Sequence, residues 1–374
     1  MKMNWSRRDF IVTLPALSAG VACSSAQASE LLGFVGTYTR GESKGIYSFR
    51  LDSATGKLSA PQLATEAQNA SFLTLHPNKK FLYSVGEGNG GTINAYTIDA
   101  AAGKLQLINS VSAHGSSTCH LVVDHTGKNV IAVNYGNGVS VVAPIKDDGS
   151  LGEATSVIQH EGSSVDERRQ KGPHAHSVNL SKNNKWAVVA DLGLDEFIVY
   201  AFDASKGTIA PHSITKVKPG SGPRHFSFHP DYKLAYGVNE MGCTVNAFSW
   251  DESAGELKEL QTITTLPADF SGTSYCAEIL VHPNGKFVYA SNRGHDSIAV
   301  YSIENDGTLT SVEYTSTQGK TPRNFQIDPS GKWLLAENQD SGTIVGFQID
   351  TKTGKLTPNG ETARVDFPVC IKFV

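Results

Sequence analysis

An excess of charge of either sign is missing from this sequence. Its 374 residues carry 32 basic against 36 acidic side chains, and charged residues make up only 18% of the whole. No electrostatic footprint therefore favours DNA, RNA or an anionic membrane. Long apolar runs are also missing, since no stretch reaches the ~18 residues a membrane-crossing helix needs, so no membrane span is expected. Three methionines and short apolar runs broken by Gly, Asn, Ser and Thr argue against a helical bundle or coiled coil. The five cysteines form no C-x-x-C pair, which removes the usual zinc and dithiol motifs. Cys119, Cys243, Cys276 and Cys370 read as isolated core thiols. No G-x-S-x-G nucleophile elbow is expected, and so no serine-nucleophile hydrolase. What is present is 39% hydrophobic residues and 36 glycines, the composition of a globular chain built from sheets and turns.

The first 28 residues read as an address label. Lys2, Arg7 and Arg8 precede an apolar stretch from Phe10 to Cys23, and Ala26-Gln27-Ala28 supplies a small-x-small cleavage pattern. Ser6-Arg7-Arg8-Asp9-Phe10-Ile11 resembles the twin-arginine signal of proteins exported in the folded state. The expectation is a periplasmic protein, delivered by the twin-arginine export machinery and cleaved after Ala28. Residues 29–374 are then one domain.

That domain repeats. His76-Pro77-Asn78-Lys79-Lys80, His229-Pro230-Asp231-Tyr232-Lys233, His282-Pro283-Asn284-Gly285-Lys286 and Asp328-Pro329-Ser330-Gly331-Lys332 are one turn written four times, with weaker copies ending at Lys128 and Lys185. The six lysines are 48, 57, 48, 53 and 46 residues apart, within the range of propeller blades. A seventh unit is split between the ends. Residues 33–51 carry two strands without a first, and Pro368-Val369-Cys370-Ile371-Lys372-Phe373 matches Pro322-Arg323-Asn324-Phe325-Gln326-Ile327 position for position. The fold class is all-β, a seven-bladed propeller whose ring closes by pairing the terminal strands and so removes open sheet edges.

Hairpin geometry then locates the chemistry. The first strand of each blade enters the turn and the second returns, which predicts that residues 16 apart pair across the hairpin at one mouth of the channel. The pairs are Ser71 with Glu87, Cys119 with Tyr135, His176 with Leu192, Arg224 with Glu240, Ala277 with Arg293, and Arg323 with Gln339. Two places further along the first strand stand Leu73, Leu121, Val178, Phe226, Ile279, Phe325 and Ile371, all apolar. Equivalent positions that only packed would be alike, whereas the mouth positions differ from blade to blade. An asymmetric small-molecule site on a symmetric scaffold has this signature. A plain cross-strand ion pair is the alternative reading of Arg224 and Glu240. The histidines before the turn prolines, His76, His229 and His282, read as structural. The insertion Gln159–Lys171 accounts for the 57-residue interval and brings Asp166-Glu167-Arg168-Arg169-Gln170-Lys171 toward the mouth, either as a solvated loop or as a lid that touches an anion.

Pro173-His174-Ala175-His176, Asp191-Leu192-Gly193-Leu194-Asp195, Gly222-Pro223-Arg224-His225, Val238-Asn239-Glu240 and Ser291-Asn292-Arg293 resemble the motifs of the propeller lactonase family, which includes 6-phosphogluconolactonases and carboxymuconate-lactonising enzymes. The resemblance runs from Val35-Gly36-Thr37-Tyr38 to the C-terminus. It implies hydrolysis of a sugar-acid lactone, with His174 or His176, Arg224, Glu240 and Arg293 at the site. His176, Arg224, Glu240 and Arg293 are the expected catalytic residues, and His174, Arg323 and Glu87 the expected substrate contacts. Asn292 stands where some members have Asp. Ring opening needs a base for water, a stabiliser for the oxyanion and a proton for the leaving oxygen. Glu240 or a histidine suits the first role, and Arg224 or Arg293 the second. No cofactor is expected, and the mouth has too few clustered carboxylates for calcium, so no metal is expected. The partner is a small-molecule lactone or sugar acid. A lactonising cycloisomerase and a purely binding propeller are the alternatives.

Overall fold

The computed structural model describes Met1 and residues 30–374, so the expected export signal and the expected cleavage after Ala28 lie outside the described residues. Among the described residues the chain forms 28 strands, arranged as seven four-stranded antiparallel sheets. Six blades are sequential, at residues 73–112, 118–159, 175–216, 223–264, 275–316 and 322–364. The remaining blade takes its inner strand, Pro368–Phe373, from the C-terminus and its other three from residues 30–66. Ile371 lies opposite Val35 and Cys370 opposite Gly36, which is the terminal pairing expected from the sequence. Inner strands of successive blades touch in order round the ring, and Pro368–Phe373 touches Leu73–Leu75 to complete it.

The apolar places of the inner strands hold the blades together. Leu73, Leu121, Val178, Phe226, Ile279, Phe325 and Ile371 are all buried, and each contributes about 1.5–3 kcal/mol by leaving water. Polar staples repeat as well. The hydroxyls of Tyr83, Tyr236 and Tyr289, buried between blades, donate to the carbonyls of Gly149, Gly307 and Gly354 at 3.0, 3.1 and 2.8 Å. At the turns, His76, His229 and His282 place Nε2 at 2.9, 2.8 and 2.8 Å from the carbonyls of Gly127, Gly285 and Gly331 in the following blade. Gly285 has φ +70°, and a Cβ there would stand 2.6 Å from the His229 ring, so this turn needs glycine twice over. Asp328, in place of a histidine, caps its own turn by accepting from Ser330, Lys332 and Trp333. The four described cysteines are buried and free.

Candidate active site

The register at the mouth departs from the expectation. Direct i to i+16 backbone pairing fails because the inner strands bulge there, and the mouth residue is the one left unpaired. Cys119, His176, Arg224 and Arg323 each sit between register-shifted neighbours, as does Val369 in the closing blade. Backbone pairing passes to their neighbours, so that Glu240 N–H bonds the Gly222 carbonyl at 2.7 Å. A bulge bends the strand and re-aims the odd side chain. Side chains 16 apart still meet: Arg224 Nε donates to Glu240 Oε2 at 3.1 Å, and Ser71 Oγ donates to Glu87.

Glu240 is the hub. Arg169 Nη2 reaches its Oε1 at 2.7 Å, and Arg293 Nη2 its Oε2 at 2.8 Å, beside Arg224. Burial alone would push this carboxyl up, but Arg293, Arg224 and Arg169 outweigh it and hold it down at about 2. Arg224 also donates to the Ala277 carbonyl at 2.7 Å, and Arg293 to the Cys276 carbonyl at the same distance. Burial, with Arg323 and Arg293 nearby, lowers Arg224 to about 9, which leaves it protonated at neutral pH. Charge pairs of this geometry fix both partners.

Above the hub lies a cavity of about 320 Å³. Of the residues singled out from sequence, Glu87, His176, Glu240, Arg293 and Arg323 line it. Arg224 lies just beneath, and His174 stands behind the wall: its ring stacks on Tyr135 at 4.6 Å and its Nδ1 bonds the Tyr135 carbonyl. Between the two histidines, His176 is therefore the one that faces the cavity. Its imidazole is buried in the cavity wall, and burial, Arg224 and His225 hold it neutral by lowering its pKa well below the ordinary value. Arg323 lies over the Tyr38 ring at 5.4 Å, and the Tyr38 hydroxyl donates to Glu87 at 3.2 Å. Burial pushes that phenol up to about 12.

Cys119, Tyr135 and Arg169 complete the cavity lining, and Tyr38 lines the smaller space beside it; Cys119 and Tyr135 were expected at the mouth as a hairpin pair, but none of the four as a catalytic or substrate-contacting residue. Arg169 belongs to the charged insertion, and its placement makes that loop part of the site. The loop is tied down. Asp166 accepts from the Arg168 and Arg169 N–H groups, Gln170 Nε2 donates to the Leu192 carbonyl, and Ser164 Oγ to Asp195. Asp191 accepts from the N–H groups of His174, Gly193 and Leu194, and its other oxygen sits 2.7 Å from His160 Nδ1. Asp195 also accepts from the Gly220 and Gly222 N–H groups at 2.7 Å, so both aspartates of the Asp191–Asp195 motif anchor backbone. Gly41-Glu42-Ser43-Lys44-Gly45 has the G-x-S-x-G spelling but no elbow: Ser43 is buried in a turn between strands, sharing a 2.6 Å hydrogen bond with Thr37 Oγ1. No group of three or more His, Cys, Asp or Glu side chains among the described residues is arranged to hold a metal ion.

The site's geometry can be set beside known proteins. The family model described as a seven-bladed β-propeller lactonase matches residues 33–373. The 6-phosphogluconolactonase of Bacillus subtilis is 39% identical over 348 residues, covering 92% of this chain and 99% of its own. That of Formosa agariphila is 37% identical over 341 residues, covering 86% and 94%. The solved structure of the Pseudomonas aeruginosa periplasmic gluconolactonase superposes with a TM-score of 0.88 at 30% identity, over 92% of this chain and 99% of that one. With nearly the full length of each chain accounted for, this protein belongs to the seven-bladed β-propeller lactonase family.

Proposed function

We propose that the protein hydrolyses a sugar-acid lactone in the cavity at the channel mouth, with His176 as general base. The observation that carries this reading is a neutral imidazole facing a cavity that also presents Arg169, Arg293 and Arg323. The His176 imidazole, neutral at neutral pH, keeps a lone pair with which to accept a proton from water, whereas both Glu240 oxygens are already taken by Arg169, Arg224 and Arg293. Glu240 acts instead as the anchor that orients Arg169 and Arg293 toward the carbonyl oxygen. Preorganised cations aimed where negative charge develops are the largest catalytic contribution in reactions of this type. The water oxygen bonds to the carbonyl carbon, and its proton passes to His176. The tetrahedral intermediate then collapses with cleavage of the ring C–O bond, and His176 returns the proton to the departing oxygen. Arg323 binds the sugar chain or the product carboxylate.

An aldonolactone without phosphate is the preferred substrate on this reading, because the N-terminal twin-arginine pattern directs the protein to the periplasm, and a structural relative is itself a periplasmic gluconolactonase. The test is pH-stat hydrolysis of a panel of aldonolactones, with and without a phosphate, before and after chelation. Proton release from at least one lactone, unchanged by chelator, is the expected result. A protein that binds a lactone without opening it would be a binding propeller, and one that interconverts an unsaturated dicarboxylate and its lactone a cycloisomerase.

A further inference from the structure

Beneath the main cavity, further into the channel, lies a second chamber of only about 10 Å³, room for a single water molecule. Its walls include His176, Arg224, His225, Arg323, Asn324 and Val369. His176 and Arg323 also line the main cavity, so the two spaces adjoin across shared side chains. A water held in a site this small needs two to four polar partners, and imidazole, guanidinium and amide groups are all present.

The floor of this chamber is built with care. Glu278, buried to 6% exposure, commits both carboxyl oxygens to chamber residues: Oε1 lies 2.9 Å from His225 Nδ1, and Asn324 Nδ2 donates to Oε2 at 2.6 Å. The His225 ring is wedged between His176 and His120, with centroids 5.4 and 5.3 Å away. With Nδ1 committed, Nε2 is the nitrogen left for the chamber, and it has no hydrogen-bond partner among the described residues. A lactone seated in the main cavity displaces bulk water from it, so the attacking oxygen has to come from a space the substrate does not fill.

We propose that this chamber holds the hydrolytic water, and that Glu278, acting through His225 and Asn324, is the positioning residue that keeps it beside His176. The proposal rests on the lactonase reading above. One oxygen leaves the chamber to bond the carbonyl carbon, its proton goes to His176 and from there to the ring oxygen, and nothing further is consumed. A new water refills the chamber when the product departs.

The test pairs a high-resolution crystal structure of the protein with kinetics of Val369→Leu, which adds one methylene to the chamber wall. We expect an ordered water within hydrogen-bond distance of His176 and His225 in the parent, and none in Val369→Leu. The kcat of the variant should fall by roughly 10²-fold, the scale of misplacing a reacting group, with KM within about threefold of the parent. Glu278→Gln, which keeps the shape of the floor, should lower kcat in the same direction with KM unchanged, a split that a merely structural residue would not produce; it decides the matter if Val369→Leu does not fold. A parent chamber without ordered water, or parental kcat in the folded variants, overturns the assignment of the water while leaving the lactonase intact. A parent that opens no lactone of the panel overturns the functional reading, and with it the water's role as nucleophile.

Discussion

At the turn end of the inner strands, His76, His229 and His282 make the same bond to a glycine carbonyl of the next blade, all within 2.8–2.9 Å. At the mouth end the equivalent places are held by Ser71, Cys119, His176, Arg224, Ala277, Arg323 and Val369. There one residue faces a cavity, another binds a carboxylate, and a third is an apolar wall. The turn end repeats one bond in three of the seven blades, where its job is adhesion. The mouth end gives symmetry up, and the bulges are how it does so without disturbing the apolar places two residues further on. Repetition thus marks what holds the ring, and its failure marks what the ring is for.

Experiments that break this comparison differ in scale. Deleting the last eight residues removes Pro368–Phe373, leaving Glu30–Thr37 without its inner neighbour and the mouth without Val369. Melting should fall by roughly 10 °C or more, since one kcal/mol moves a domain of this size by at most a few degrees. Circular dichroism melting of the truncated chain reads this directly, and an unchanged midpoint would refute closure by the terminal strand. His176→Gln should lower turnover of any lactone substrate by roughly 10²–10⁴-fold with melting nearly unchanged. Because the base must be neutral, parental kcat/KM should rise along an acid limb lying well below pH 6.5 and be flat above it.

A smaller effect concerns acid stability. The Glu240 carboxyl is held near 2 in the folded protein against an ordinary value of 4.5, so its contribution is complete above about 4.5 and lost as pH falls from there toward 2. Glu240→Gln should flatten the pH dependence of melting in that window, while lowering melting near neutrality because three arginines lose their shared anion. The smallest change is expected at the turn end. His229→Ala removes one of the three turn staples at a cost of about 1 kcal/mol, and hydrolysis should stay at the parental rate. Loss of activity there, with the fold intact, would collapse the distinction between the two ends.

Much of this was legible in the sequence, for physical reasons that also set the limit. The turn lysines recur at near-constant spacing, and the orphan strand Pro368–Phe373 copies Pro322–Ile327, so the closed ring follows from repetition alone. The meeting of Arg224 with Glu240 follows from hairpin geometry. The bulges do not, because one extra residue at a strand end leaves the turn spacing and the apolar places unchanged. Arg169 was visible only as part of a charged insertion, since a loop without periodicity has no register to aim a side chain. His225 and Glu278, 53 residues apart in sequence, meet across a blade boundary at a depth that only the packed ring defines. The same is true of Arg323 over Tyr38.

Ring closure also has a bearing on how the protein is made. Thr37 finds its partner at Pro368, more than 300 residues later, so the closing contact is among the last the chain can form during synthesis. At ~5–20 residues per second, Glu30–Thr37 waits on the order of tens of seconds with one edge unpaired. Six blades can stack meanwhile, but the chamber wall at Val369 does not yet exist. A nascent chain is therefore an incomplete enzyme until its final residues dock, and its exposed inner edge is the surface on which a chaperone would act.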